Sequence, residues 1–222
     1  MSTQQEWSFI HGLVRLQRPR IAIEVGVAQG KMARAIYSAL DQNTNDTGIE
    51  SWYTGFDLWE RHGVWGQFTQ MGSFDMVNHE LKQIGNRYAL VKINTQTQTE
   101  LFQQELAHRF TNGIDFAFID GCHSYDGIKN DFYNVLPHMN PNGIIAFHDT
   151  SVIDGCREFI IDLRLENKGY DISDFPYGSH ERNCGITLVT TPGFADVKID
   201  EICGSPSVPE DIYEKENNYR RL

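Results

Sequence analysis

Nowhere in this chain does an apolar run approach the roughly 20 residues that a membrane-crossing helix needs, so no membrane span is expected. Positive charge is scarce: 19 Lys and Arg stand against 30 Asp and Glu, a net charge of −11. The nearest thing to a basic cluster is Arg15, Arg18 and Arg20, which reads as a solvated helix end. Such a surface has no means of releasing counterions from a phosphate backbone, which argues against nucleic acid as a partner. The cysteines, Cys122, Cys156, Cys184 and Cys203, are few and far apart, with no CxxC pair. Their spacing signals neither a zinc ribbon nor a disulfide framework. They read as free thiols of a reducing compartment, and a cytoplasmic location is expected. The opening MSTQQEWSF lacks the basic start and apolar core of a secretory signal. Also missing is the GxGxxG dinucleotide fingerprint.

What is present is the material of a packed core. The chain is 40% hydrophobic and 12% aromatic over 222 residues, enough for one sizeable domain. Residues 1–192 are read as that domain, opening with a helix over 1–18. Residues 193–222 are read as a C-terminal extension that folds back as a lid or wraps a neighbouring subunit of a homo-oligomer. Strand and helix patterns alternate along the domain. Strands are expected at 21–26, 52–58, 88–93, 114–120 and 143–149, with late ones near 170–175 and 184–190. Helices are expected at 4–17, 31–40, 73–84, 98–110, 125–136 and within 151–167. Polar DQNTNDTG (41–48) reads as a loop.

Strands alternating with helices predict an α/β fold, a parallel sheet covered on both faces. Ligands of such sheets sit beyond the carboxyl ends of the strands, so the residues there matter most. Those ends carry Glu24 and Gly26 through Gly30, then Asp57, Asn94–Gln96, Asp120 through Tyr125, and His148-Asp149. Gly26 allows a tight turn, and Gly30 allows the next helix to pack close to a ligand. Glu24 within the first strand disfavours a pyrophosphate and suits a cationic group. Asp57 can accept both hydroxyls of a ribose, or it can cap a turn. Asp120, His148 and Asp149 fall on adjacent strand ends, where two carboxylates and an imidazole suit a hard divalent cation such as Mg²⁺. His123 can ligate or take a proton, and Asp126 can cap the following helix.

The set EVGxxxG, Asp57, IDGCHSYDGIKNDF and NPNGIIAFHDT resembles class I S-adenosylmethionine-dependent methyltransferases, in the branch of macrocin O-methyltransferase-like and cephalosporin-hydroxylase-like proteins. There the fourth strand runs into DGxHxYxxxxxD, matched by Asp120, Gly121, His123, Tyr125 and Asp131, and the fifth into HD or ED. The resemblance covers about residues 20–190. It implies a Rossmann-like, seven-stranded, mostly parallel sheet with the last strand antiparallel and helices on both faces. It implies S-adenosyl-L-methionine as cofactor, lined by Glu24, Gly26, Val27 and Gly30, with Asp57 on the ribose, Leu58 near adenine and Asp120 close by. A divalent cation is implied at Asp120, His148 and Asp149, and catalysis by Asp120, His123 and His148 on a small-molecule hydroxyl, such as that of a sugar or natural product. Two departures stand out: Ala28 replaces the middle glycine of the commonest cofactor loop, and His148 stands where some metal-binding members carry a carboxylate.

Two other classes remain open on sequence. One is a metal-dependent hydroxylase or hydrolase built on Asp120, His123, His148 and Asp149; the other is a non-catalytic nucleoside-binding domain. The aromatic loop 58–72, with Trp59, His62 and Trp65, and the segment 175–185, with Tyr177, His180 and Arg182, are candidate substrate walls.

Overall fold

The computed structural model describes residues 3–59, 74–166, 168–175, 178–179 and 182–190. His62, Trp65, Tyr177, His180 and the C-terminal extension lie outside the described residues. Helix α1 (Gln4–Gln17) begins at a capping box: the Thr3 hydroxyl accepts the Glu6 N–H, and the Glu6 carboxylate accepts the Thr3 N–H. Then follow β1 (Ile21–Val25), α2 (Lys31–Thr47), β2 (Trp52–Asp57), α3 (Phe74–Lys82), β3 (Tyr88–Lys92), α4 (Thr99–Arg109) and β4 (Ile114–Ile119). The chain continues through α5 (Tyr125–Val135), β5 (Met139–His148), α6 (Asp154–Leu165), β6 (Asp171–Phe175), the small pair β7 (Gly178–Ser179) and β8 (Arg182–Asn183), and β9 (Ile186–Thr190).

Seven strands form one sheet in the order β3-β2-β1-β4-β5-β9-β6. Strands β1 to β5 pair in parallel, and β9 runs antiparallel to both β5 and β6. The chain steps outward from β1 to β3 and then returns to the other side of β1 as β4. That reversal opens a crevice at the carboxyl ends of β1 and β4.

The buried strands alternate between two cores, because successive side chains point to opposite faces. Ala22, Tyr53, Phe116, Phe118, Ile144, Ala146, Ile186 and Leu188 pack with α1, α2 and α3. Ile23, Val25, Phe56, Ala117, Ile119, Ile145, Phe147 and Val189 pack with α4, α5 and α6. The same alternation assigns Glu24 and His148 to the α1–α3 side, which decides what they meet.

Three local expectations are corrected. Residues 41–47 are not a loop: α2 runs on to Thr47 and stops at left-handed Gly48 (φ 73). Its polar side chains serve the packing on α1, since Asn43 Nδ2 donates to Val14 O at 2.9 Å and Arg15 pairs with Asp46 at 2.6 Å. The cap of α5 is Ser124, whose hydroxyl accepts Gly127 N–H, rather than Asp126. Strand β5 starts at Met139, ahead of the expected 143, and the register shifts between Ile114 and Phe116.

Candidate active site

The register brings the expected strand ends to one rim. Val25 lies beside Phe56 on one flank and Ile119 on the other, and Ile119 lies beside Phe147. Gly26 N–H donates to Phe56 O at 2.9 Å, and Asp120 N–H donates to Val25 O at 2.8 Å. The tips of β2, β1, β4 and β5 therefore meet in that order, carrying Asp57, Glu24–Gly26, Asp120 and His148-Asp149.

Gly26 has φ 91, and a Cβ there would sit 2.2 Å from the Asp120 carbonyl oxygen. Its lack of a side chain lets β1 and β4 close on each other. Gly30 caps α2 at φ 75, where a Cβ would press on Val77 of α3 at 3.0 Å. Its lack of a side chain lets α2 start close against α3. Ala28 keeps the left-handed backbone (φ 48) that the missing glycine would supply. Among the described residues, three of the four non-glycine positions with positive φ, namely Ala28, Trp59 and Asp149, stand on this rim. Such strain persists only where the surroundings enforce it, and it clusters at functional sites.

Asp57 ties two loops together. Its Oδ2 accepts Ala28 N–H at 2.8 Å and its Oδ1 accepts Trp59 N–H at 2.6 Å, and each oxygen retains a further lone pair for a diol. Leu58 is half-buried beside it. The Val27 side chain is buried in the α1–α3 core, which leaves its backbone to face a cofactor. Glu24 is wholly buried, with Oε2 accepting the Tyr53 hydroxyl and Oε1 without a hydrogen-bond partner among the described residues. Burial raises its pKa well above the carboxylate range, and Asp120 and Asp57 push the same way against the Tyr53 bond.

Around Asp120 the charges interlock. His123 Nε2 lies 3.2 Å from Asp120 Oδ1 and 3.4 Å from Asp149 Oδ2. His148 Nδ1 lies 3.2 Å from Asp120 Oδ1 and 3.4 Å from Asp149 Oδ1. Burial alone would raise the Asp120 pKa, but the His148 charge and the two histidine hydrogen bonds hold it well below normal. Asp149 is lowered similarly. His148 is raised far above an ordinary imidazole, because the surrounding carboxylates overcome its burial. His123 is raised as well, its hydrogen bond to Asp120 outweighing burial.

These positions sort the two histidines. The His123 side chain is 28% exposed and faces the cleft, whereas that of His148 is 1% exposed. Asp120, His123 and Asp149 bring donor atoms within 4.8 Å of one another, a set of two carboxylates and one imidazole that fits a divalent cation. His148, expected as a ligand and catalytic group, sets Nδ1 against the Asp120 and Asp149 carboxylates from the buried side. Period-two alternation turns its ring toward α1, where Nε2 lies 3.2 Å from Glu6 Oε1. Sequence reasoning missed Glu6, Tyr53 and Cys184, none of which sits in a motif. At Gly155, in the first turn of α6, a Cβ would lie 2.5 Å from the His123 carbonyl oxygen. That glycine lets the first turn of α6 press against the His123–Tyr125 loop.

Asp131, the last position of the DGxHxYxxxxxD pattern, supports the same loop from behind. It is wholly buried on α5, Oδ1 accepts Gln96 Nε2–H at 2.8 Å, and Oδ2 lies 3.0 Å from where a Gly121 Cβ would be.

The structure is similar to solved methyltransferases. The O-methyltransferase TomG from Streptomyces achromogenes, involved in tomaymycin synthesis and solved with SAM, superposes with a TM-score of 0.61 at 14% identity, over 87% of this chain and 82% of that one. The SAH-bound methyltransferase PaMTH1 of Podospora anserina gives 0.59 at 16% identity, over 86% and 80%. The SAH complex of an O-methyltransferase from Bacillus cereus gives 0.60 at 15%, over 86% and 83%. At these identities the likeness establishes the fold. A curated relative, the uncharacterized protein y4gI of Sinorhizobium fredii, is 24% identical over 143 residues, which are 63% of this chain but only 14% of that protein. The family model described as a methyltransferase domain matches residues 23–150, from the first strand through the last motif of the rim. This chain therefore belongs to the methyltransferase domain family, and it carries the class I methyltransferase fold.

Proposed function

We propose that the protein transfers the methyl group of S-adenosylmethionine to a hydroxyl oxygen of a small polar molecule. The observation that carries this reading is the rim itself: Glu24, Asp57 and Asp120 stand on three adjacent strand tips, with Glu24 Oε1 buried and unpartnered among the described residues. A cationic donor suits a rim that carries the Asp57 and Asp120 carboxylates, and Asp57, already oriented by two backbone amides, retains lone pairs for the ribose hydroxyls. The sulfonium makes the methyl group electrophilic, so the protein's main task is to hold the acceptor oxygen in line with the S–CH₃ bond.

The acceptor must also lose a proton. His123 is the member of the Asp120 cluster that reaches the cleft, and its ring is held by Asp120 and Asp149. It takes the hydroxyl proton at a ring nitrogen, and the two carboxylates stabilise the resulting imidazolium. Asp120, His123 and Asp149 are also the residues that would hold a divalent cation, which when bound would lower the pKa of the acceptor hydroxyl.

Calorimetry with S-adenosylhomocysteine tests the first half: wild type binds, and Asp57→Ala binds at least about tenfold more weakly, as loss of a hydrogen bond to a charged group implies. Absence of heat with wild type refutes the reading. Turnover with a panel of hydroxylated sugars and phenols tests the second. His123→Ala should lose about 10²- to 10⁴-fold in kcat while keeping its affinity for S-adenosylhomocysteine.

A further inference from the structure

Behind the cleft lies a second group of donors that methyl transfer does not use. Glu6 on α1, His148 at the end of β5 and Cys184 ahead of β9 bring a carboxylate oxygen, a ring nitrogen and a sulfur within 4.8 Å of one another. All three are buried, at 0%, 2% and 2% exposure. Glu6 Oε1 and His148 Nε2 are 3.2 Å apart, an ion pair when the ring is protonated but with poor hydrogen-bond alignment, and neither atom has another hydrogen-bond partner among the described residues. The oxygen thus lies off the N–H direction, and two buried polar atoms are left aimed into one spot. A native core rarely tolerates that without an occupant.

Each donor is also steered from its far side. Glu6 Oε2 takes the Thr3 N–H at 2.5 Å, which leaves Oε1 for the spot. His148 Nδ1 faces Asp120 Oδ1 at 3.2 Å. A metal-bound histidine characteristically donates its other ring N–H to a carboxylate, which fixes the tautomer and turns the remaining nitrogen to the metal. With bonds of about 2.0 Å, two donors 3.2 Å apart subtend roughly 105° at the ion, close to tetrahedral. A mixed oxygen, nitrogen and sulfur set selects a borderline-soft ion over Mg²⁺ or Ca²⁺.

We propose that Glu6, His148 and Cys184 bind one Zn²⁺ ion, which ties α1 and the segment entering β9 to the tip of β5. Three protein ligands leave a fourth position for water. Binding exchanges the ion for the Nε2 proton of His148 and the thiol proton of Cys184, both of which go to solvent. The charge of the cluster is then unchanged, and Asp120 keeps its Nδ1 partner. A thiol gives up its proton when it coordinates, so sulfur ligation marks the ion's arrival. The ion differs from a cation in the cleft by its sulfur ligand, and it is detected without any methyl transfer.

The full chain is stripped with a chelator, loaded with one equivalent of Co²⁺ or Zn²⁺, dialysed, and read by absorption and metal analysis. One ion should remain per chain, and the Co²⁺ form should show a thiolate-to-metal charge-transfer band with the intense d–d bands of tetrahedral cobalt. Cys184→Ser should abolish the charge-transfer band and weaken retention more than about tenfold. His123→Ala, which removes a donor only from the cleft set, should leave both intact. Wild-type protein that retains no zinc, or whose Co²⁺ form lacks the thiolate band, overturns the proposal, and neither result depends on a variant folding. Retention lost in His123→Ala but kept in Cys184→Ser would move the ion to the cleft and overturn it equally.

Discussion

Asp131 should make this fold less stable as the pH rises from about 4 to about 7, the reverse of what an ion-paired carboxylate does. The side chain is wholly inside the protein, between α5 and the loop that follows β4. Burial raises its pKa from 3.8 to about 6, against the pull of Thr95, the Cys122 amide and Gln96. A folded-state pKa above the unfolded one means that the native state binds the proton more tightly. The stabilisation is therefore complete below the unfolded pKa of 3.8 and is lost as the pH climbs through about 6. At about 1.36 kcal/mol per pH unit, the gap between the two values corresponds to about 3 kcal/mol. Asp131→Asn preserves an acceptor oxygen for Gln96 and cannot titrate. Urea unfolding of both proteins across this range should show the variant gaining about 3 kcal/mol on wild type, with no further change above about pH 7. In a chain of this size that is roughly 6–12 °C in Tm. The absolute offset between the two proteins reports the new amide hydrogens, so the informative quantity is how the offset varies with pH. A pH-independent offset would refute the reasoning, because it would mean that the carboxyl titrates alike in both states.

The rim yields two further expectations. Gly26→Ala and Gly48→Ala both place a side chain on a left-handed backbone, a cost of about 1–2 kcal/mol each. Only Gly26 adds a contact 2.2 Å from the Asp120 carbonyl, since nothing lies within 4 Å at Gly48. Thermal melts should show Gly26→Ala clearly less stable than Gly48→Ala, with S-adenosylhomocysteine binding lost in the former alone; equal melts would show that β1 and β4 do not close as described. Tyr53→Phe removes the one hydrogen bond that Glu24 receives among the described residues, leaving a buried carboxyl with neither oxygen partnered there, at about 1–3 kcal/mol in urea unfolding.

The architecture was legible because its signals are local. Apolar runs of strand length alternate with helical periods, a pattern that only a helix-covered parallel sheet satisfies, and the acidic and imidazole residues stop the strands where such sheets bind ligands. Asp57, Asp120 and Asp149 could be read from their positions alone, since each is a polar residue closing an apolar run. The polar stretch 41–47 misled because loop-like composition and a helix face spent on a neighbouring helix look alike in sequence. What distinguishes them is Arg15 and Val14, 28 to 29 residues away on α1.

The amino-acid sequence by itself determined the sheet, the rim and the identity of the groups on it, because side-chain alternation and turn chemistry act over a few residues. Tertiary structure alone decided which histidine faces the cleft, that Val27 and Gly30 serve core packing, and that Glu6, His148 and Cys184 converge. The physical reason is distance along the chain. Those three residues come from the first helix, the fifth strand and the entry to the last described strand, and no local periodicity relates them. Only closure of α1 over the sheet sets a carboxylate 3.2 Å from a ring nitrogen.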